Sequence, residues 1–136
     1  MGKIVIEEHL EEFEVVTSSG RTAGVVCFNP ADTGLAKRYG EVAEKFENMR
    51  KLSDETDEEC ANRLNQEIRD IFDYLLGQPC SDVFFAEAEP LAILQSGDLY
   101  CEGVLNGIAK AVEEATNTRI KRVRTKVDKY AKKYHK

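Results

Sequence analysis

The stretch that decides the fold is TDEECANRLNQEIRDIFDYLLGQP, residues 56–79. Thr56-Asp57-Glu58-Glu59 is a capping-box sequence, in which the Thr hydroxyl and the Glu carboxylate serve two orphan amides at a helix start. Its acids also suit the positive end of the helix dipole. Cys60, Leu64, Ile68, Ile71, Phe72 and Leu75 then recur at helical spacing, which predicts one apolar face. Gly77, followed by Pro79, is a stop signal. A long amphipathic helix of this kind must bury its stripe against other elements, so the chain reads as a helical domain built around this segment.

Towards the N-terminus, Leu35, Tyr39, Val42, Phe46 and Met49 are spaced 4, 3, 4 and 3 apart and predict an earlier helix. Asn29-Pro30 is its expected start, because Asn caps free amides and Pro already holds a helical φ. Gly34 and Gly40 weaken it, by about 1 kcal/mol each against Ala. Lys37, Arg38, Glu41, Glu44, Lys45 and Glu47 form its expected solvated face. A short break between the two helices predicts an antiparallel helical hairpin.

The first 28 residues read as strands. Ile4-Val5-Ile6 is a short β-rich start. Residues 13–17 and 22–28 flank Ser18-Ser19-Gly20-Arg21, a hairpin signal. Glu7, Glu8, Glu11, Glu12 and Glu14 place charge on an edge or solvent face, which discourages strand addition.

Beyond Gly77, residues 78–98 read as irregular, with a helical turn over residues 81–85. Ser96 is the expected cap of a third long helix carrying Leu99, Leu105, Ile108, Val112 and Ala115, interrupted at Thr116-Asn117-Thr118. Ile120, Val123, Val127, Tyr130 and Tyr134 then recur at 3, 4, 3 and 4, an amphipathic stripe set among cations. The expected architecture is α+β, mostly α: an N-terminal β-hairpin, a three-helix body over residues 1–118 and an amphipathic basic helix over 119–136.

The chain's 136 residues, 42% apolar and 32% charged, suit one domain with a core of its own. No apolar run approaches the ~20 residues of a membrane span. The net charge of −6 is a difference of two larger quantities. Residues 119–136 hold 9 cations and 1 acid, +8, against 10 cations and 24 acids, −14, in residues 1–118. Residues 1–10 lack a signal-peptide pattern and Ile6 breaks the myristoylation pattern. Cys27, Cys60, Cys80 and Cys101 lie 33, 20 and 21 residues apart, without zinc-ligand spacing. Reduced structural thiols and a cytoplasmic location are the expectation.

The residues name no catalytic set, and no metal or cofactor is expected. His9 lies in an acidic segment and His135 next to the last residue, neither near a nucleophile motif. The cluster Asp54, Glu55, Asp57, Glu58 and Glu59 lacks the alternating ligands and central Gly of a calcium loop; helix capping explains it. Neither GxGxxG nor a Gly-Lys-Ser/Thr phosphate loop occurs.

The basic tail carries the strongest lead. Arg119, Lys121, Arg122, Arg124, Lys126, Lys129, Lys132, Lys133 and Lys136 surround the Ile120–Tyr134 stripe. Three readings stand open. The stripe packs on its own subunit; it docks on another protein or another copy; or the cations neutralise phosphates. The −14 body and the shortage of aromatics in the tail disfavour nucleic acid. The opposed charges also favour head-to-tail self-association that high salt dissolves.

With the helices placed, the chain resembles small tail-module proteins of phages and prophages of Gram-positive bacteria. Val42-Ala43-Glu44-Lys45-Phe46-Glu47 is similar to that family's acidic–aromatic first helix. Ile71-Phe72-Asp73-Tyr74-Leu75-Leu76-Gly77, with Cys80 after it, is similar to its aromatic–Asp–x–Leu–x–Gly helix end. The resemblance covers about residues 22–115. It implies a non-enzymatic tail assembly chaperone in the bacterial host cytoplasm, one that keeps the apolar helical tape-measure protein, or another tail protein, soluble and forms homo-oligomers. On that reading Ile108, Val112, Ile120, Val123, Val127, Tyr130 and Tyr134 supply apolar contacts, and the cations Arg119 to Lys133 supply polar ones. The alternative is a small phage regulatory or nucleic-acid-associated protein that uses the basic helix on phosphates.

Overall fold

The computed structural model describes residues 1–134, excepting within the last helix the side chains of Ile120, Val123, Arg124, 126–128 and 130–134. In chain order the elements are β1 (Glu11–Val16), β2 (Thr22–Phe28), α1 (Thr33–Glu47), α2 (Asp57–Leu76), α3 (Ser81–Phe84) and α4 (Tyr100–Tyr134). The fold is α+β and mostly α, a two-stranded antiparallel hairpin followed by helices, as the sequence predicts.

The hairpin pairs Glu11 with Phe28 and Phe13 with Val26, and its register shifts between Val15 and Val16. Phe13, Val15, Val26 and Phe28 join the core, while Glu11, Glu12 and Glu14 stay exposed. The Phe13 and Phe28 rings stack with centroids 4.6 Å apart. Gly24 sits at φ +151°, and a Cβ there would approach Cγ1 of Val83 to 2.9 Å. Only glycine lets α3 pack this close to β2.

Ile4, Val5 and Ile6 are not a strand: they are 95%, 88% and 83% exposed. Among the described residues β1 pairs with β2 and with no third strand. A β-branched run without a hydrogen-bonding partner has no ladder to hold it extended.

α1 starts later than Asn29-Pro30. The Asn29 side chain accepts a hydrogen bond from the Ala31 amide, making a turn that inserts Pro30 into the core. Asp32 is the N-cap, accepting from the Gly34 amide. Leu35 and Val42 are buried and Phe46 and Met49 half-buried, but Tyr39 is exposed.

In α2 the capping box of Thr56 and Glu59 is present and Gly77 caps the end at φ +68°. Cys60, Ile68, Ile71, Phe72, Leu75 and Leu76 are buried along it. Phe72, with no exposed surface, lies at the centre. Phe85 meets it edge-on at 5.2 Å and Phe84 tilts against it at 6.3 Å. The helical hairpin is antiparallel: Arg38 reaches the Leu75 carbonyl, Tyr74 donates to Glu41, and Arg63 reaches the Arg50 carbonyl.

Ser96 does not cap α4. Its hydroxyl accepts from the Asp98 amide inside the turn that precedes Leu99. The Cys101 amide donates instead to the Pro90 carbonyl, and Glu102 accepts from the Leu99 amide. Pro90 is itself fully buried and the Leu91 amide donates to Asn65 of α2, so the connection anchors the helix start to the body. Nor do Thr116-Asn117-Thr118 interrupt α4, which is continuous from Tyr100. Thr118 donates its hydroxyl to the Glu114 carbonyl at 3.0 Å, satisfying the side chain without leaving the helix.

Candidate interaction surface

α1 and α4 do not close fully over α2. Between them runs an open groove of about 580 Å³. Leu35 and Leu75 supply its depth, Ala36 and Tyr39 one wall, Ile108, Ala109 and Val112 the other, and Thr116 and Asn117 lie at one end. Two of the residues expected to contact a partner are therefore brought together here. Ile108 is only 8% exposed, so it belongs to the core as well as to the groove. Val112 is half-buried against the same core. No periodicity within one helix could reveal the groove, because its walls come from residues about 70 positions apart.

Arg38 builds one side of the surface. The sequence reading put it on a solvated face, but its side chain is only 20% exposed. Its Nε donates to the Leu75 carbonyl and its Nη2 to Asp32, each at 2.9 Å. One guanidinium thus satisfies a carbonyl of α2's last turn and braces the cap of α1. The Arg38 bonds and the Gly34 amide hold the Asp32 carboxyl below its usual range. Replacing Arg38 by Ala is expected to cost about 1–2 kcal/mol for the lost bond to Leu75, read as a lower urea midpoint. An unchanged midpoint would show that the clamp adds nothing.

The expected basic contacts divide. Arg119 is tied to the body: it donates to the Asn29 side chain at 3.1 Å and pairs with Glu11. Lys121, Arg122 and Lys129 are exposed. The side chains of Ile120, Val123, Arg124, Lys126, Val127, Tyr130, Lys132, Lys133 and Tyr134 lie outside the described residues. α4 itself crosses the 118/119 boundary without a break.

A second network surrounds Asp73. Its carboxylate accepts from the Cys80 and Ser81 amides at 2.8 Å and from the Ser81 hydroxyl at 2.9 Å. Burial pushes the Asp73 carboxyl up, and these three donors together bring it below the usual carboxylate range. The Cys80 thiol is driven well above its usual value, first by burial and then by the charge of Asp73, so it stays protonated and unreactive. Cys60, Cys80 and Cys101 are buried, and all four cysteines are free thiols.

The acidic cluster before α2 is structural. Glu55 accepts from Arg63 and from the Leu52 amide, and its carboxyl is held down to about 2, chiefly by Arg63. Asp57 pairs with Lys51 at 2.5 Å and Glu59 completes the capping box. Among the described residues no three His, Cys, Asp or Glu side chains gather as metal ligands, and no helix is long and apolar enough to cross a membrane. Compared with protein-family models, curated proteins and solved structures, the chain finds no match.

Proposed function

We propose that the protein is a non-enzymatic tail assembly chaperone of a phage or prophage, working in the bacterial cytoplasm. It holds apolar helical segments of a tape-measure protein, or of another tail protein, soluble until assembly. The observation that carries this reading is the α1–α4 groove, an apolar trough that ends where the basic half of α4 begins. A helix with an apolar stripe fits such a trough in the helix-in-groove mode. The strongly charged surroundings keep the complex soluble. The likeness of residues 42–47 and 71–77 to tail-module proteins supplies the identity of the client.

Co-expression with the tape-measure protein tests the proposal. The chaperone is expected to raise the client's soluble yield, and deletion of residues 117–136 to reduce that gain. If the deletion changes neither client solubility nor oligomer size, the tail has no part in binding. A second reading rests on the exposed Lys121, Arg122 and Lys129, which would engage phosphates in a regulatory protein. Binding to arbitrary duplex DNA that weakens steeply with salt would favour it.

A further inference from the structure

Among the described residues the most exposed large apolar side chains, apart from Met1, are Ile4, Val5 and Ile6, in an arm (residues 1–10) without regular structure. The root of this arm stands at one end of the groove. Glu11, which follows it, pairs with Arg119 of α4, and Arg119 also donates to Asn29, the neighbour of the groove residue Pro30. From there the apolar residues project into solvent instead of folding back.

We propose that Ile4, Val5 and Ile6 of one copy lie in the α1–α4 groove of a second copy. The inference rests on reading that groove as a binding surface, but it needs no client. Length fits: the six residue steps from Leu10 to Ile4 span up to ~20 Å extended, and the α4 wall from Ile108 to Asn117 runs about 14 Å. Polarity fits as well. The apolar triplet is followed directly by Glu7 and Glu8, and the apolar wall of α4 is followed by Lys121 and Arg122, both exposed. An arm seated with its triplet in the trough brings its acids to those cations. The arm from residue 1 to 12 carries one cation and four acids, so the match is of opposite signs at one end and apolar surface along the rest. Each copy owns both an arm and a groove, and two copies can satisfy each other reciprocally.

Light scattering on the full-length protein tests this. The wild type is expected at twice the 15.3 kDa of one chain, and raising the salt is expected to weaken the association. The double variant Ile4→Asp, Ile6→Asp alters only exposed positions and is expected to be monomeric. Ala109→Trp, which fills the trough from the exposed side of α4, is expected to be monomeric too. Mixing the two variants is the decisive arm: one keeps its groove and the other its arm, so a heterodimer forms. A labelled peptide of residues 1–12 is expected to bind the arm variant roughly tenfold or more tightly than the groove variant, the effect of losing one buried aliphatic contact. A monomeric wild type, an arm variant that keeps its dimer mass, or variants that fail to complement would each overturn the proposal. None of these results depends on whether a tape-measure protein is bound, so client rescue in co-expression can succeed or fail independently.

Discussion

Replacing Phe72 by Ala is expected to cost about 3–5 kcal/mol, the range for a fully buried aromatic cut back to a methyl. Phe72 has no exposed surface, and Phe84 and Phe85 both rest on it. A cavity there strips packing from α2 and α3 at once, and backbone around α2 cannot collapse to fill it. Domains of this kind have only about 5–15 kcal/mol in total, so the variant should be largely unfolded at a temperature the wild type tolerates. Urea unfolding followed by circular dichroism gives the number. Phe72→Leu retains most of the volume and is expected to lose about 1–2 kcal/mol. A Phe72→Ala midpoint equal to that of the wild type would show that the aromatic cluster is not the centre of the core.

The second large effect is expected at Asp73. Its carboxylate is the only side chain described as accepting from the Cys80 and Ser81 amides, and those amides open α3. Asp73→Ala strands both, and is expected to cost about 3 kcal/mol by the measure of hydrogen bonds to a charged group. The same carboxyl makes stability depend on pH. Its folded pKa lies below the ordinary value of ~3.9, so its contribution is complete above pH ~4 and is lost as pH falls through the folded value. Glu55, held down to about 2, acts in the same direction over the interval from the ordinary ~4.3 to that value. Thermal melts between neutral pH and pH 2 should show wild-type stability falling steeply below pH 4. The gap between wild type and Asp73→Asn should narrow across that interval. A constant gap would mean that the Asp73 charge is not what holds α3.

Asp73 also shows how a motif can be legible while its reason is not. The aromatic–Asp–x–Leu–x–Gly ending is visible in residues 72–77, and Gly77 is readable as a cap from its position alone. That Asp73 reaches seven and eight residues ahead to fasten α3 depends on the turn at Gly77, which bends the chain back over the end of α2. Arg38 is the same kind of case. Its spacing places it opposite the Leu35–Val42 stripe, and only the antiparallel seating of α1 on α2 puts the Leu75 carbonyl within its reach.

Local chemistry by itself determined the elements whose causes are local. The capping box at Thr56, the stop at Gly77, the hairpin across residues 18–21 and the buried stripe of α2 all follow from neighbours a few positions apart, through caps, turns and periodicity. The tertiary structure alone decided what depends on partners distant in the chain. Ile4, Val5 and Ile6 have strand-forming side chains, yet pairing is a two-body property, and among the described residues β1 pairs with β2 only. Pro30 and Pro90 look like punctuation in the sequence and are core residues in space. The polar triplet at 116–118 looks like a break, but a helix already anchored at Cys101 and Ile108 propagates through it, because extending a helix costs far less than starting one. The groove belongs to neither α1 nor α4 alone; residues of both line it together with Leu75 of α2, a relation between surfaces that no single segment encodes.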